Sequence, residues 1–180
     1  DMASILGVEQ LQHTNGTTAA TITSGGKLYS AGHVIQMQSS VSTAASTITG
    51  TSYADIPGMT ATITPTSTSS KILVQVSFGA LGSSGTGHGC LMKLLRDSTE
   101  IGNGSGADTH NVFMQNYFGL TNRYWAVSHM FVDSPSSTNA LVYKMRWAVT
   151  GTGETWYMNR RGIDNYARMA STFLLTEIAG

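Results

Sequence analysis

Cysteine is almost missing from these 180 residues: Cys90 is the only one. An internal disulfide and a cysteine-built zinc cluster are therefore excluded, and a buried small hydrophobe is the expectation for its Gly-Cys-Leu-Met setting. Charge is equally scarce, at 11% of residues against about 25% in an average soluble domain. Ten basic and ten acidic side chains give a formal net charge of zero, so nothing draws the whole molecule to nucleic acid or to an anionic membrane. No apolar run approaches the ~20 residues of a spanning helix, so membrane insertion is not expected. Nor does the chain open on a basic stretch followed by an apolar block, and a secretory leader is not expected.

Serine, threonine, glycine and alanine fill the polar share. They satisfy water without charge, which suits a particle that must stay soluble where salt screens ion pairs. Residues 1–32 hold few large apolar groups, among them Ile5, Leu6, Val8, Leu11, Ile22 and Leu28. Asn15-Gly16 and Gly25-Gly26 are turn signals around a β-like run, Thr17 to Thr23. Such a segment cannot bury a core alone, so it is disordered or ordered by neighbouring copies; its Ile, Leu and Val content favours the second.

From His33 onward the apolar period is two. Strands are predicted at Val34–Gln38, around Met59–Ile63 up to Pro65, at Lys71–Phe78, Cys90–Leu95, Arg123–Asp133, Leu141–Val149, Thr155–Asn159 and Met169–Ile178. Arg96 to Glu100 reads as a hairpin tip, and Gly102 to Asn111 as a surface loop. Cys90–Leu95 is nearly all apolar, as in a central strand buried on both faces. No helical period appears, and the fold class expected is all-β: an antiparallel sandwich over 33–180 behind a thin segment over 1–32. Five of the twenty charges lie in residues 1–92 and fifteen after them, which assigns specific polar recognition to the second half.

The chemistry of an enzyme is hard to find. None of His13, His33, His88, His110 and His129 neighbours a Gly-x-Ser-x-Gly turn, and His129 falls within a strand pattern as a packed histidine. Asp97 and Glu100 belong to a solvated hairpin tip rather than to a glycosidase carboxylate pair. Asp108 and His110, with Asp164 elsewhere, could hold a cation, but two carboxylates and an imidazole from loops are weak evidence for a metal site. Gly82 to Gly89 lacks the lysine of a phosphate-binding loop and precedes no helix, so it reads as an inter-strand loop. No catalytic residue, metal or cofactor is expected.

Aromatics gather in the second half. Sugar rings stack on Trp and Tyr, and their hydroxyls need Asn, Asp or Arg nearby. Arg160, Arg161, Asp164, Asn165 and Tyr166, with Trp156 just before them, supply that mixture and form the candidate receptor or glycan surface. Against this, Trp125, Trp147 and Trp156 are expected to fill the core, and Arg160 with Asp164 to form an intersubunit ion pair.

Two stretches carry a family resemblance. Met2-Ala3-Ser4-Ile5-Leu6-Gly7-Val8-Glu9-Gln10-Leu11-Gln12-His13-Thr14-Asn15-Gly16-Thr17-Thr18-Ala19 resembles the start of small tail-fibre or appendage proteins of marine bacteriophages. Tyr53-Ala54-Asp55-Ile56-Pro57-Gly58, Ile63-Thr64-Pro65 with Ser69 to Val74, Leu94 to Asp97, Asp133-Ser134-Pro135 and the closing Thr176-Glu177-Ile178-Ala179-Gly180 are similar to the heads of those proteins. Residues 102–125 and 160–168 lie outside the resemblance. It implies a virion structural protein, a homotrimer with a jelly-roll-like head on a short shaft. The shaft would be packed through Ile5, Leu6, Val8, Leu11, Ile22 and Leu28 and would attach to other virion proteins, with the head facing a host glycan or protein. A purely structural head-attached fibre and a polysaccharide-degrading tailspike are the alternatives. The resemblance also makes Met2 look like a natural start, with Asp1 as a remnant.

Overall fold

The computed structural model describes residues 9–22, 26, 28–106, 110–117, 123–162, 164, 166 and 168–180. Among them there is no helix; every regular element is a strand, and every pairing is antiparallel.

The amino-terminal segment forms a small sheet of β1 (Gln10–Gln12), β2 (Thr18–Ile22) and β3 (Leu28–Tyr29). Asn15 and Gly16 make the first turn: Asn15 Oδ1 accepts from Thr17 N, and Gly16 takes a positive φ of 84°. Ala20 is the one buried hydrophobic residue described in this sheet, while Leu11 and Leu28 are exposed. Among its described residues the sheet shows no core of its own.

The remaining strands form two sheets around one core. In the first, β10 (Met114–Asn116), β8 (Cys90–Arg96), β12 (Leu141–Val149) and β6 (Ala54–Ile63) lie in that order, and β9 (Thr99–Ile101) shares the free edge of β8 with β10. The second runs β4 (Val34–Ser42), β14 (Ser171–Ile178), β7 (Lys71–Ser83), β13 (Trp156–Met158) and β5 (Ser46–Ile48), with β11 (Tyr124–Asp133) on the other edge of β7.

Alternation decides which side chains meet between them. Ile72, Val74, Val76 and Phe78 of β7 and Phe173 and Leu175 of β14 face Met92 and Leu94 of β8, Tyr143, Met145 and Trp147 of β12, and Met59 and Ile63 of β6. Each fully buried aliphatic or aromatic side chain contributes about 1.5–3 kcal/mol relative to exposure. Cys90 lies in this core, and burial pushes its thiol pKa up, so it packs as a hydrophobe. In β8 the alternate residues Leu91 and Leu95 are buried as well, which is why its sequence shows no alternation.

The edge of β4 closes on β6: Ser40 Oγ donates to Gly58 O at 2.8 Å, and Gln36 Nε2 to Thr64 O at 2.7 Å. Gly58 has a φ of +76°, and a Cβ there would sit 2.9 Å from Ser42 Cβ, so this close approach needs glycine.

The registers give the head two distinct ends. At one, the start of β4 lies beside the end of β14, and Gly32 N and Ala179 N donate to Ala179 O and His33 O, both at 2.8 Å. The amino-terminal segment therefore joins here. At the other lie the end of β7, the starts of β8, β11 and β13, and the ends of β10 and β12.

Candidate functional site

Between β13 and β14 the chain leaves the sheet for residues 159–170 and returns. Asn159 makes the departure. It takes a positive φ of 63°, a conformation Asn tolerates better than most residues. Its N donates to Ala80 O at 2.8 Å. Its buried side chain donates through Nδ2 to Ser42 O at 2.7 Å and Ala44 O at 3.0 Å, and accepts from Ser171 Oγ at 2.6 Å. Ser171 Oγ also accepts from Gly79 N at 3.2 Å. Through its side chain and its backbone N–H, Asn159 thus ties β4, β7 and β14 at the base of the excursion. Gly79 and Gly162 let it lie against β7, since a Cβ at either would collide with the carbonyl of Ala170 or of Ser83.

The excursion carries a compact group of cations and rings. The Arg160 guanidinium lies 4.1 Å from the Tyr157 ring centre, and that of Arg161 lies 4.9 Å from Tyr166. Arg161 also holds Asp164 by two bonds, Nε to Oδ1 at 2.6 Å and Nη2 to Oδ2 at 2.5 Å, and Asp164 Oδ1 accepts from Tyr166 N at 3.0 Å. The Arg161 pair and the Tyr166 N–H hold the Asp164 carboxyl down to about 2, so it remains ionised at any ordinary pH. The bidentate geometry fixes the guanidinium plane. Tyr166 caps it with a ring 71% exposed. Stacked planes edged by fixed donors and a carboxylate present an apolar face and directional polar groups together, the chemistry a pyranose or a peptide aromatic requires.

The sequence expectation needs correction at two places. Trp156 is fully buried, with Nε1 donating to His88 O at 3.0 Å, so it supports the site from below and offers no stacking surface. Trp125, expected in the core with Trp147 and Trp156, is 42% exposed, because it sits on an edge strand beside a bulge between Trp125 and Val127. Within the chain, Asp164 pairs with Arg161. Asn165 lies outside the described residues, as do Ile5, Leu6 and Val8. Leu11 and Leu28 are exposed and Ile22 is half-buried in the amino-terminal sheet.

Tyr157 is the participant that sequence reasoning passed over. Strand alternation gives the signal: Trp156 and Met158 point into the core, so Tyr157 must point out under Arg160. The start of β11 lies close by, for a Cβ on Gly82 would meet Arg123 O at 3.0 Å and Arg160 O at 3.2 Å.

Several other polar groups among the described residues are engaged within the chain. Asp133 accepts two bonds from Arg96 Nη1, at 2.9 and 2.7 Å, and one from Tyr143 Oη at 2.7 Å, which locks β8, β11 and β12 together. The Gly82–Gly89 loop closes on a carboxylate of the chain itself, with Gly87 N and Ser83 Oγ donating to Glu154. Asp97 accepts from Val142 N, and Glu100 pairs with Lys93. His129 is exposed at the sheet edge, its ring 4.7 Å from Phe113 in an edge-to-face contact. Among the described residues no three His, Cys, Asp or Glu side chains converge as a metal site would need. No protein-family model matches the chain, and no curated protein matches it significantly.

Proposed function

We propose that the chain is a bacteriophage virion appendage protein, a homotrimeric tail fibre or similar structure. Its jelly-roll-like head recognises a host-surface glycan or protein, and its amino-terminal segment attaches to other virion proteins. The observation that carries this reading is an opposition. The coreless segment joins the head beside Ala179, whereas the Arg160–Tyr157 and Arg161–Asp164–Tyr166 group lies against the far part of β7, around Gly82 and Ser83. A protein that is anchored at one end and reads a surface with the other has this layout. Recognition through stacked rings and fixed donors needs no reacting group, in keeping with a binding role rather than a chemical one.

The test is a glycan array and a host-cell binding assay with the full chain, comparing wild type with Arg160→Ala and Tyr166→Ala. Binding that drops at least tenfold in both variants (about 1.4 kcal/mol) supports recognition. Wild-type protein that binds nothing, with antibody labelling confined to the capsid, would make the protein a purely structural fibre. Release of oligosaccharide from host envelopes would make it a tailspike enzyme.

A further inference from the structure

The two outer faces of the sandwich differ in kind. On the five-stranded sheet the outward side chains form ion pairs: Lys144 and Arg146 with Asp55 at 2.9 and 3.1 Å, and Lys93 with Glu100 at 2.7 Å. That is a face built for water. On the six-stranded sheet the registers of β4, β14, β7 and β11 align three outward rows. They read Val41–Thr172–Ser77–Ser128, Ser39–Leu174–Gln75–Met130 and Met37–Thr176–Leu73–Val132. Six of the twelve positions are apolar, the rest are uncharged, and none is ionisable. Met130, Val41, Met37 and Val132 are each more than half exposed.

We propose that this outer face of β4, β14, β7 and β11 is the contact surface between copies of the chain in the head, a proposal that rests on the oligomeric part of the reading above. Four strands by three outward rows cover roughly 20 Å by 20 Å, the size of the apolar centre of a standard interface, which buries about 800 Å² per partner. The face is not flat: a depression of about 370 Å³ opens over Gln75, Ser77, Ser128, Met130, Thr172 and Leu174, with Val76 and His129 also lining it, a shape that accepts a protruding side chain. Charge selects the occupant. A partner bringing ionised groups would lose their hydration with no counter-charge to meet them. Around a three-fold axis the same rows of each sister copy turn toward one another, and apart from His129 beside the depression they bring no ionisable group. The amino-terminal sheet accords with this, because Leu11 and Leu28 are about half exposed among the described residues there and a neighbouring chain would cover them.

Sedimentation of the full chain at micromolar concentration, with Met130→Asp and Val41→Asp variants and Val142→Asp on the opposite sheet as control, tests the assignment. An oligomer that falls apart in the two face variants and survives in the control supports it. Thiol labelling adds a readout that does not need a disruptive substitution, since Cys90 is buried. In the single chain Met130 is 62% exposed and Val142 40%. Met130→Cys should nevertheless react about tenfold more slowly than Val142→Cys, as a site covered some nine-tenths of the time does. Equal or faster labelling of Met130→Cys in an intact oligomer overturns the face and leaves the trimer standing. A stable lone subunit overturns both, and neither result touches the glycan-array test.

Discussion

Glu177 is a fully buried carboxylate, and replacing it gives a demanding test of the fold. Its side chain is fully buried near the end of β14 and receives four hydrogen bonds. They come from Gln36 Nε2 at 2.6 Å and from Thr66 N, Thr66 Oγ1 and Ser70 Oγ, each at 2.7 Å. These donors belong to β4 and to the β6–β7 connection, so one carboxylate fastens three separated stretches at the end where the amino-terminal segment joins. Hydrogen bonds to a charged group contribute roughly 1.5–3 kcal/mol each in isolation. They share one acceptor group here, and Gln36 and Thr66 can turn to water when it is lost. A net cost of about 3–5 kcal/mol is therefore expected for Glu177→Ala, the range for breaking a buried charged cluster from one side.

Acidity separates the charge from the shape. Burial alone would raise the carboxyl pKa, but the bonds from Gln36, Ser70 and Thr66 outweigh it, and the folded value lies below the ordinary one. A depressed folded pKa means that stability is fully present above the unfolded value of about 4.3. It is lost as pH falls from there through the folded value. Urea denaturation across pH 3 to 7 should show wild type weakening below about pH 4.3. Glu177→Gln, with no proton to gain, should start about 1–3 kcal/mol lower at neutral pH and weaken less steeply. A Gln variant within about 0.5 kcal/mol of wild type, with an unchanged acid slope, would refute this account of the cluster.

Two further outcomes follow from the site. Trp156→Ala should cost about 3–5 kcal/mol through a core cavity, whereas Tyr166→Ala, on an exposed ring, should stay within about 0.5 kcal/mol; thermal melts checked by near-ultraviolet circular dichroism would settle the contrast, and equal costs would contradict the buried placement of Trp156. At Asn159, Gly keeps the positive φ while removing the side-chain bonds, and Ala loses both. Asn159→Ala should therefore be less stable than Asn159→Gly by about 1–2 kcal/mol, and equilibrium denaturation showing the reverse order would mean that the left-handed turn is not held in solution.

Much of the fold was legible because burial on one face imposes period two. Lys71–Phe78, Leu141–Val149 and Cys90–Leu95 carry long apolar sets, and they became β7, β12 and β8, of which β7 runs on to Ser83 and β8 to Arg96. Where packing does not select the side chains, the pattern fell silent. β5 (Ser46–Ile48) and β10 (Met114–Asn116) are short strands at sheet margins, and Ser39 to Ser42 extends β4 through a serine-rich stretch that carries no alternation. There the backbone ladder, not the side chains, supplies the reason to be a strand.

The site was legible by composition and not by geometry. Arg, Asp and Tyr crowded between two strands mark a polar excursion, yet which arginine meets Asp164 depends on the turn that Asn159 begins. Asn159 and Ser171 are joined through space, and neither looks exceptional in its own neighbourhood. The same holds for Trp125 and Trp156: both lie in β-like runs, and only knowledge that β11 is an edge while β13 is flanked by β5 and β7 separates the exposed ring from the buried one. Edge position is a property of the whole sheet. The surfaces proposed for recognition and assembly, the Arg160–Tyr166 group and the uncharged rows of β4, β14, β7 and β11, are accordingly set by strand order, which local sequence constrains least.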